Sequence, residues 1–442
     1  MSELDQILAE LYARQPEQHI RPRLEPTQRL VELMGDPQKN YGIIHITGTN
    51  GKTSTSRIVE RILREHGLRT GRLTSPHLIS FNERIAIDGE PVSDEVLVDT
   101  YNDNKPLLEI IDQQLINEGQ VPLTFFEAFT ALAFQLFSDA PIDVLVLEVG
   151  MGGEWDATNV ADADVAVFTS IDLDHQKSLG DTPAEIAQTK AGIIKEKSLV
   201  VSSSQYEEVV QVLGSRTSSL VLAGRDFGFG EVTPDGFGTR FSVAGLAGNY
   251  PQLWMPIIGS HQAGNAATAI AAVELFLGEG KRMIADEVLR SALADSLSPG
   301  RIQVVSKDPL VVLDGAHNPA GARSLSSAIE EHFGSPKRIA LVAMLADKDL
   351  RGTIAEFAFS FDRVICTSPI SPRGLSAEQL AEIFEDQGAE VMAVESNPQE
   401  AYLLASRLAS EENAALFVTG SLYLIGDVLS FIQADKELED EE

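Results

Sequence analysis

The chain has 442 residues, 43% of them hydrophobic, with 34 Lys and Arg against 66 Asp and Glu, for a formal net charge of −32. That length exceeds one ordinary core and predicts two or three folding units, and the charge excludes a nonspecific nucleic-acid binder, which needs a basic surface. A lone cysteine, Cys366, excludes an intramolecular disulfide and points to a reducing, cytoplasmic setting; the acidic start is unlike a secretory leader, and no apolar run could span a bilayer, 266–277 being interrupted by Glu274.

Residues 2–13 predict a helix, and 15–26, rich in Pro and Arg, a loop. The run Tyr41-Gly42-Ile43-Ile44-His45-Ile46 is apolar on both faces, as in a buried parallel strand. Gly48 to Gly51 predicts a turn, and Ile58, Val59, Ile62 and Leu63 give the next helix an apolar face. Strand, glycine turn and helix form the unit in which a helix N-terminus faces a phosphate. Lys52 can then reach the β and γ phosphates of a nucleotide, and the Thr53 hydroxyl a metal ion. The usual spacing has a glycine five residues before the Gly51-Lys52 pair; here Ile46 stands there.

Buried-strand patterns recur at 144–147, 165–168 and 199–201, with a helical pattern over 123–137. The alternation implies a doubly wound α/β sheet. Ser75 and His77 lie beyond the short strand Arg72-Leu73-Thr74, Glu148 follows the strand at 144–147, and Asp172, Asp174 and His175 follow the next. Open sheets bind ligands at the carboxyl ends of their strands, and Mg²⁺ takes hard oxygen donors. These groups are therefore candidate ligands, each with a helix-capping or turn role as its plainer alternative. Lys190, at the end of a helix, reads by itself as a cation answering the helix dipole. Residues 224–248, glycine-rich with alternating aromatics, predict a small antiparallel insert. Ser296-Leu297-Ser298-Pro299-Gly300 reads as a linker, followed by a second α/β series with strands at 310–313, 339–342, 364–366 and 416–418. The expected division is one domain over 1–297 and another over 298–442, with an acidic tail at 437–442 that predicts a solvated, disordered end.

The motifs, in order, are His45-Ile46-Thr47-Gly48-Thr49-Asn50-Gly51-Lys52-Thr53-Ser54, Thr74-Ser75-Pro76-His77-Leu78, Asn82-Glu83-Arg84, Leu123-Thr124-Phe125-Phe126-Glu127 and the segment 148–159, which begins Glu148-Val149-Gly150-Met151-Gly152-Gly153. There follow Asp172-Leu173-Asp174-His175, Lys190-Ala191-Gly192-Ile193, His261-Gln262-Ala263-Gly264-Asn265-Ala266, Pro299-Gly300-Arg301, Asp314-Gly315-Ala316-His317-Asn318-Pro319 and Asp347-Lys348-Asp349. Together they resemble the Mur ligase superfamily and, within it, the folylpolyglutamate synthase/dihydrofolate synthase branch. The resemblance covers nearly the whole chain. It implies an N-terminal P-loop ATPase domain of the Mur ligase type and a C-terminal Rossmann-like domain.

By the same resemblance, Gly48, Thr49, Asn50, Gly51, Lys52, Thr53, Ser54, Asn265, Arg301, Asp314 and His317 are expected to bind ATP. Ser75, Glu148 and His175 are expected to hold Mg²⁺, with Thr53 near the first ion and Lys190 carried as a carbamate. Thr124, Phe125, Phe126 and Glu127, with Trp155, Asp156 and Ala157, correspond to the segments that hold the pterin. Lys52, Lys190 and His317 are the expected catalytic residues. The sequence departs from the family at Thr53, where many members have Gly or Ser, at Glu154-Trp155 for a common Arg-Leu pair, and at Thr189 for the usual Glu. The implied reaction joins L-glutamate to a folate or dihydropteroate carboxylate, in a monomer whose domains close on ATP. The alternatives are another ligase of the superfamily and a nucleotide-dependent switch.

Overall fold

A computed structural model describes residues 2–15, 21–334, 337–357 and 360–441; residues 16–20 of the loop expected at 15–26 lie outside them. Among the described residues the strands form three sheets. The first sheet takes β1 Gly42–Thr47, β2 Thr70–Leu73, β3 Ile85–Ile87, β4 Glu90–Pro91, β5 Val144–Glu148, β6 Val165–Phe168, β7 Leu199–Ser202 and β8 Leu220–Leu222, in the order β4-β3-β2-β5-β1-β6-β7-β8. From β2 to β8 neighbouring strands run parallel; β3 and β4 turn back antiparallel at one edge.

β1 lies at the centre of the four strands whose ends carry the motifs. Its side chains alternate between two cores. Ile44 and Ile46 join the core that holds Ile58, Val59, Ile62 and Leu63 of the helix Lys52–Glu65. Ile43 faces the other core, with Phe129, Phe134 and Phe137 of the helix Phe125–Asp139. The apolar stretch broken by Glu274 lies in the helix Ser260–Gly278. There the Glu274 carboxylate is buried and accepts hydrogen bonds from the Tyr250 hydroxyl and the Leu246 amide.

The insert is an antiparallel sheet of β9 Gly228–Asp235, β10 Gly238–Ala244 and β11 Asn249–Met255, one strand longer than the expected 224–248. The last sheet takes β12 Gln303–Lys307, β13 Leu310–Leu313, β14 Lys337–Val342, β15 Arg363–Cys366, β16 Val391–Val394 and β17 Ala414–Thr419, in the order β12-β13-β17-β14-β15-β16. It is parallel except for the β12–β13 hairpin. The final helix, Leu422–Glu441, runs through most of the acidic tail. This corrects the expected disordered end: Leu424, Ile425 and Val428 anchor the helix in a core, and the Ala, Lys, Leu and Glu residues that follow favour its continuation.

Candidate active site

Four adjacent strands, β2, β5, β1 and β6, end at one rim of the first sheet. The chain leaves β1 at Gly48, whose φ is 155°. A Cβ there would lie 1.9 Å from Thr169 Oγ1. At Gly51 φ is 86°, and a Cβ would meet Asn265 Oδ1 at 2.5 Å. Only glycine fits at these two points. The Thr49 and Asn50 amides donate to the Ser170 carbonyl, so they are not free to hold a phosphate. That role falls to the first turn of the helix from Lys52, where amides have no partner within the helix.

Two lysines converge on one carbonyl. Lys52 Nζ donates to Gly48 O at 3.0 Å and to Thr49 O at 3.2 Å; Lys190 Nζ donates to Gly48 O at 2.8 Å. Burial pulls both ammonium groups down, and with the charge of Lys52 beside it Lys190 reaches about 7. The loop at 149–153 seats Lys190. A Cβ on Gly153 would lie 2.7 Å from the Lys190 carbonyl, and the Glu154 amide donates to the Thr189 carbonyl at 2.8 Å. Across the loop, the Thr53 hydroxyl lies 3.0 and 3.1 Å from the two carboxylate oxygens of Glu148. Burial pushes Glu148 up to about 7, against the pull of Lys52.

The second sheet reaches this rim from above. Asn318 and Asn50 exchange amide hydrogen bonds of 3.1 and 3.3 Å, and Asn318 Nδ2 also donates to Asp174 at 3.2 Å. Lys348 Nζ sits 2.7 Å from Asp174 Oδ1 and 3.3 Å from His175 Nε2. His317 Nδ1 donates to the Gly315 carbonyl, and its Nε2 lies 3.7 Å from Asp174. Burial alone would raise Asp174, but His317 beside it and the charges of Lys348 and His175 hold it well below the usual carboxylate range. Burial takes the His175 imidazole down to about 4. Ser54 and Ser298 hydroxyls meet at 2.9 Å. Asp314 receives the amides of Ile302 and Ala316, which fixes the turn carrying His317.

A cavity of about 400 Å³ joins these groups. Its lining includes every residue from Gly48 to Ser54, together with Ser75, Glu148, His175, Lys190, Asn265, Arg301, Asp314 and His317. The expected ATP and metal groups are therefore brought together. The expected pterin residues do not line it. Thr124 and Glu127 form a capping box at the start of their helix, and Arg23 holds both Glu127 oxygens at 2.8 Å. Phe125 is buried, stacked 4.9 Å from Tyr12 and 5.8 Å from Phe129. Phe126 packs against Gly150, and Trp155 against Gly152. Asp156 is buried and accepts from the Met151 amide at 2.8 Å and from Thr158, and Ala157 is buried beside it.

Two residues of the site escape a reading of the sequence. Lys348 stands in a quoted motif, but nothing in its spacing announces that it touches Asp174. Phe229 lies in the insert, and its ring is 44% exposed while lining the cavity beside Gly264. Alternating aromatics were its one sequence signal, and these mark a strand rather than a site.

Residues 113–273 match the Mur ligase middle domain, and residues 300–422 match the glutamate ligase domain of Mur ligases. The dihydrofolate synthase/folylpolyglutamate synthase of Mycobacterium tuberculosis is 39% identical over 93% of this chain and 87% of that protein. The folylpolyglutamate synthase of Lacticaseibacillus casei is 35% identical over 93% of this chain and 96% of its own length. Among solved structures, Mycobacterium tuberculosis folylpolyglutamate synthase complexed with ADP superposes with a TM-score of 0.91 at 37% identity, covering 97% of this chain and 98% of that one. E. coli FolC in complex with DHPP and ADP superposes with a TM-score of 0.86 at 30% identity, covering 98% and 99%. With a P-loop rim, one buried and one half-buried lysine and a second α/β sheet closing one cavity, this chain belongs to the folylpolyglutamate synthase/dihydrofolate synthase family of Mur ligases.

Proposed function

We propose that this chain joins the amine of L-glutamate to a carboxylate of a folate or of dihydropteroate, with ATP as the activating substrate. The observation that carries this reading is the shared cavity, in which Lys52, Lys190 and Glu148 of the first sheet face Arg301 and His317 of the second. A carboxylate is a poor electrophile. Its oxygen attacks the γ-phosphorus of ATP, the bond to ADP breaks, and an acyl phosphate results. The glutamate amine then attacks the acyl carbon, phosphate leaves and the amine loses a proton. Lys52 and the first-turn amides offset charge on the phosphoryl group, and Arg301 and His317 orient the nucleotide.

Mg²⁺ fits the donors present. Among the described residues no three His, Cys, Asp or Glu side chains form a cage of their own, and Mg²⁺ prefers one or two carboxylates with water and phosphate oxygens. Glu148 is a buried carboxylate with two hydroxyl-bearing neighbours in the lining, Thr53 and Ser75. These three and His175 would hold the ion, which supplies charge neutralisation at the phosphates when bound. Lys190, drawn down to about 7, has a substantial neutral fraction near neutral pH. A neutral amine adds carbon dioxide with loss of one proton, which would make Lys190 an oxygen donor in the same cluster. Asp156, with Trp155, Ala157 and 124–127, is read as the pteroyl side, beyond the loop at 149–153.

In this reading 1–297 and 298–442 are two units of one cytoplasmic monomer that close during turnover. Small-angle scattering is expected to show compaction on adding ATP and a folate; unchanged dimensions would count against closure. The reaction itself is tested by phosphate release with dihydropteroate and with tetrahydrofolate, each with L-glutamate, against nucleotide-linked muramyl substrates. Release with a pteroyl substrate is expected, and release with the muramyl substrates alone would sink the reading.

A further inference from the structure

His45 is fully buried in β1 and lines no part of the cavity. Ile44 and Ile46 face the P-loop helix, so His45 faces the opposite side, as Ile43 does. There its Nε2 lies 2.9 Å from Thr158 Oγ1. Its Nδ1 has no partner among the described residues. The direction of the proton follows from the next link. Thr158 Oγ1 donates to Asp156 Oδ1 at 2.5 Å, while the amides of Thr158 and Met151 also point at this carboxylate, at 3.0 and 2.8 Å. Donors therefore surround Asp156, and it acts as the acceptor. A hydroxyl has one proton. Thr158 gives it to Asp156, so its oxygen must receive a proton from His45 Nε2–H. The neutral ring is a one-way donor with a bare Nδ1.

The same face of β1 holds the loop at a second point. Thr47, two residues on, donates from Oγ1 to the Gly152 carbonyl at 2.8 Å. The end of β1 thus carries the phosphate turn, and its flank carries the loop between Glu148 and Asp156.

We infer that His45 is a positioning residue for the pteroyl substrate: through Thr158 it orients the Asp156 carboxylate and, through Asp156 and Met151, the loop at 149–153. The inference rests on the reading of Asp156 as part of the pteroyl side. Without the imidazole, the buried Thr158 oxygen loses its donor and its hydroxyl is free to rotate away from Asp156.

The test is steady-state phosphate release for His45→Leu, His45→Gln, Thr158→Val, Thr158→Ser and Asp156→Ala, with thermal unfolding of each. His45→Leu and Thr158→Val are expected to raise the KM for the pteroyl substrate about 10-fold and the KM for ATP by a clearly smaller factor, since the loop at 149–153 also borders the ATP cavity. The double variant should be no worse than either single one, because both break one chain. His45→Gln, which keeps an N–H near the place of Nε2, and Thr158→Ser should recover most of the loss. If Asp156→Ala leaves the pteroyl KM unchanged, the pteroyl reading fails, and this inference with it. If Asp156→Ala raises it and the His45 and Thr158 variants do not, or if they raise both KM values alike, the inference alone is overturned. An independent reading in the unmodified protein is a long-range ¹⁵N–¹H spectrum with labelled histidine. A His45 proton on Nε2 is expected, and one on Nδ1 would break the chain of donors.

Discussion

In the proposed reaction, Lys190 is the residue on which the chemistry of the site turns. Its Nζ is buried against the Gly48 carbonyl, and burial, with the charge of Lys52 beside it, pulls it down to about 7. Lys190→Ala is expected to lower phosphate release by about 100-fold or more, as for loss of a group that stabilises transferring charge. Bicarbonate should not restore activity, whereas acetate or another small acid should do so in part; full activity in the variant would remove the residue from the mechanism. Phe229 is expected to stack on the nucleobase, since its half-exposed ring borders the cavity at Gly264 and Asn265. Phe229→Ala should raise the KM for ATP roughly 5- to 150-fold, the range of aromatic–base stacking, and leave the pteroyl KM unchanged. The gathering of the P-loop residues, Glu148 and His175 at one rim was legible in the sequence because strand ends and glycine turns leave a local signature. Lys348 and His45 were not, since each acts through a partner far away in the chain, and Asp156 shows that a motif residue can be held by its own loop.

At the scale of elements, the loop that carries Ser75 is held on both sides. Glu83 accepts from the amides of Leu78, Ile79 and Ser80 at 2.8–2.9 Å. From the other side the helix Leu422–Glu441 approaches so closely that a Cβ on Gly426 would lie 2.1 Å from the Leu78 carbonyl oxygen. The clash is with backbone, so one of the two segments must shift. Gly426→Ala is expected to cost about 1–3 kcal/mol, the usual penalty of overpacking, measured by urea denaturation, and to raise the Mg²⁺ concentration needed for activity through the displacement of Ser75. Buried strands such as β5 and β6 were readable because both faces are apolar. The strands β4, β8, β12 and β16 are the outer strands of the two large sheets and are half-buried or exposed. They lack that pattern and were not read.

At the scale of the whole molecule, a clasp of Asp174, Lys348, His317 and Asn318 joins the two large sheets. The lowered pKa of Asp174 means that its contribution to stability is fully present above its unfolded value and is lost as pH falls toward its folded one. Lys348→Met removes one cause of that lowering. The variant is expected to lose about 1–3 kcal/mol at pH 7. Its deficit against the parent should narrow as pH falls below about 4, where unfolded Asp begins to bind protons. Denaturant titrations at pH 7 and pH 3 check this, and a deficit that widens in acid would refute it. A second α/β series was legible from its apolar runs. The clasp was not, because its partners are joined only by the fold.

The pairing of Asn50 with Asn318 spans 268 residues of chain. Ribosomes add about 5–20 residues per second, so roughly 13–54 seconds separate the appearance of the phosphate turn from that of its counterpart. With the shared cavity read as the ATP site, a nascent chain holds half of it throughout that interval. Ligation activity therefore begins late in synthesis, and an unfinished chain is poorly equipped to consume ATP to no purpose.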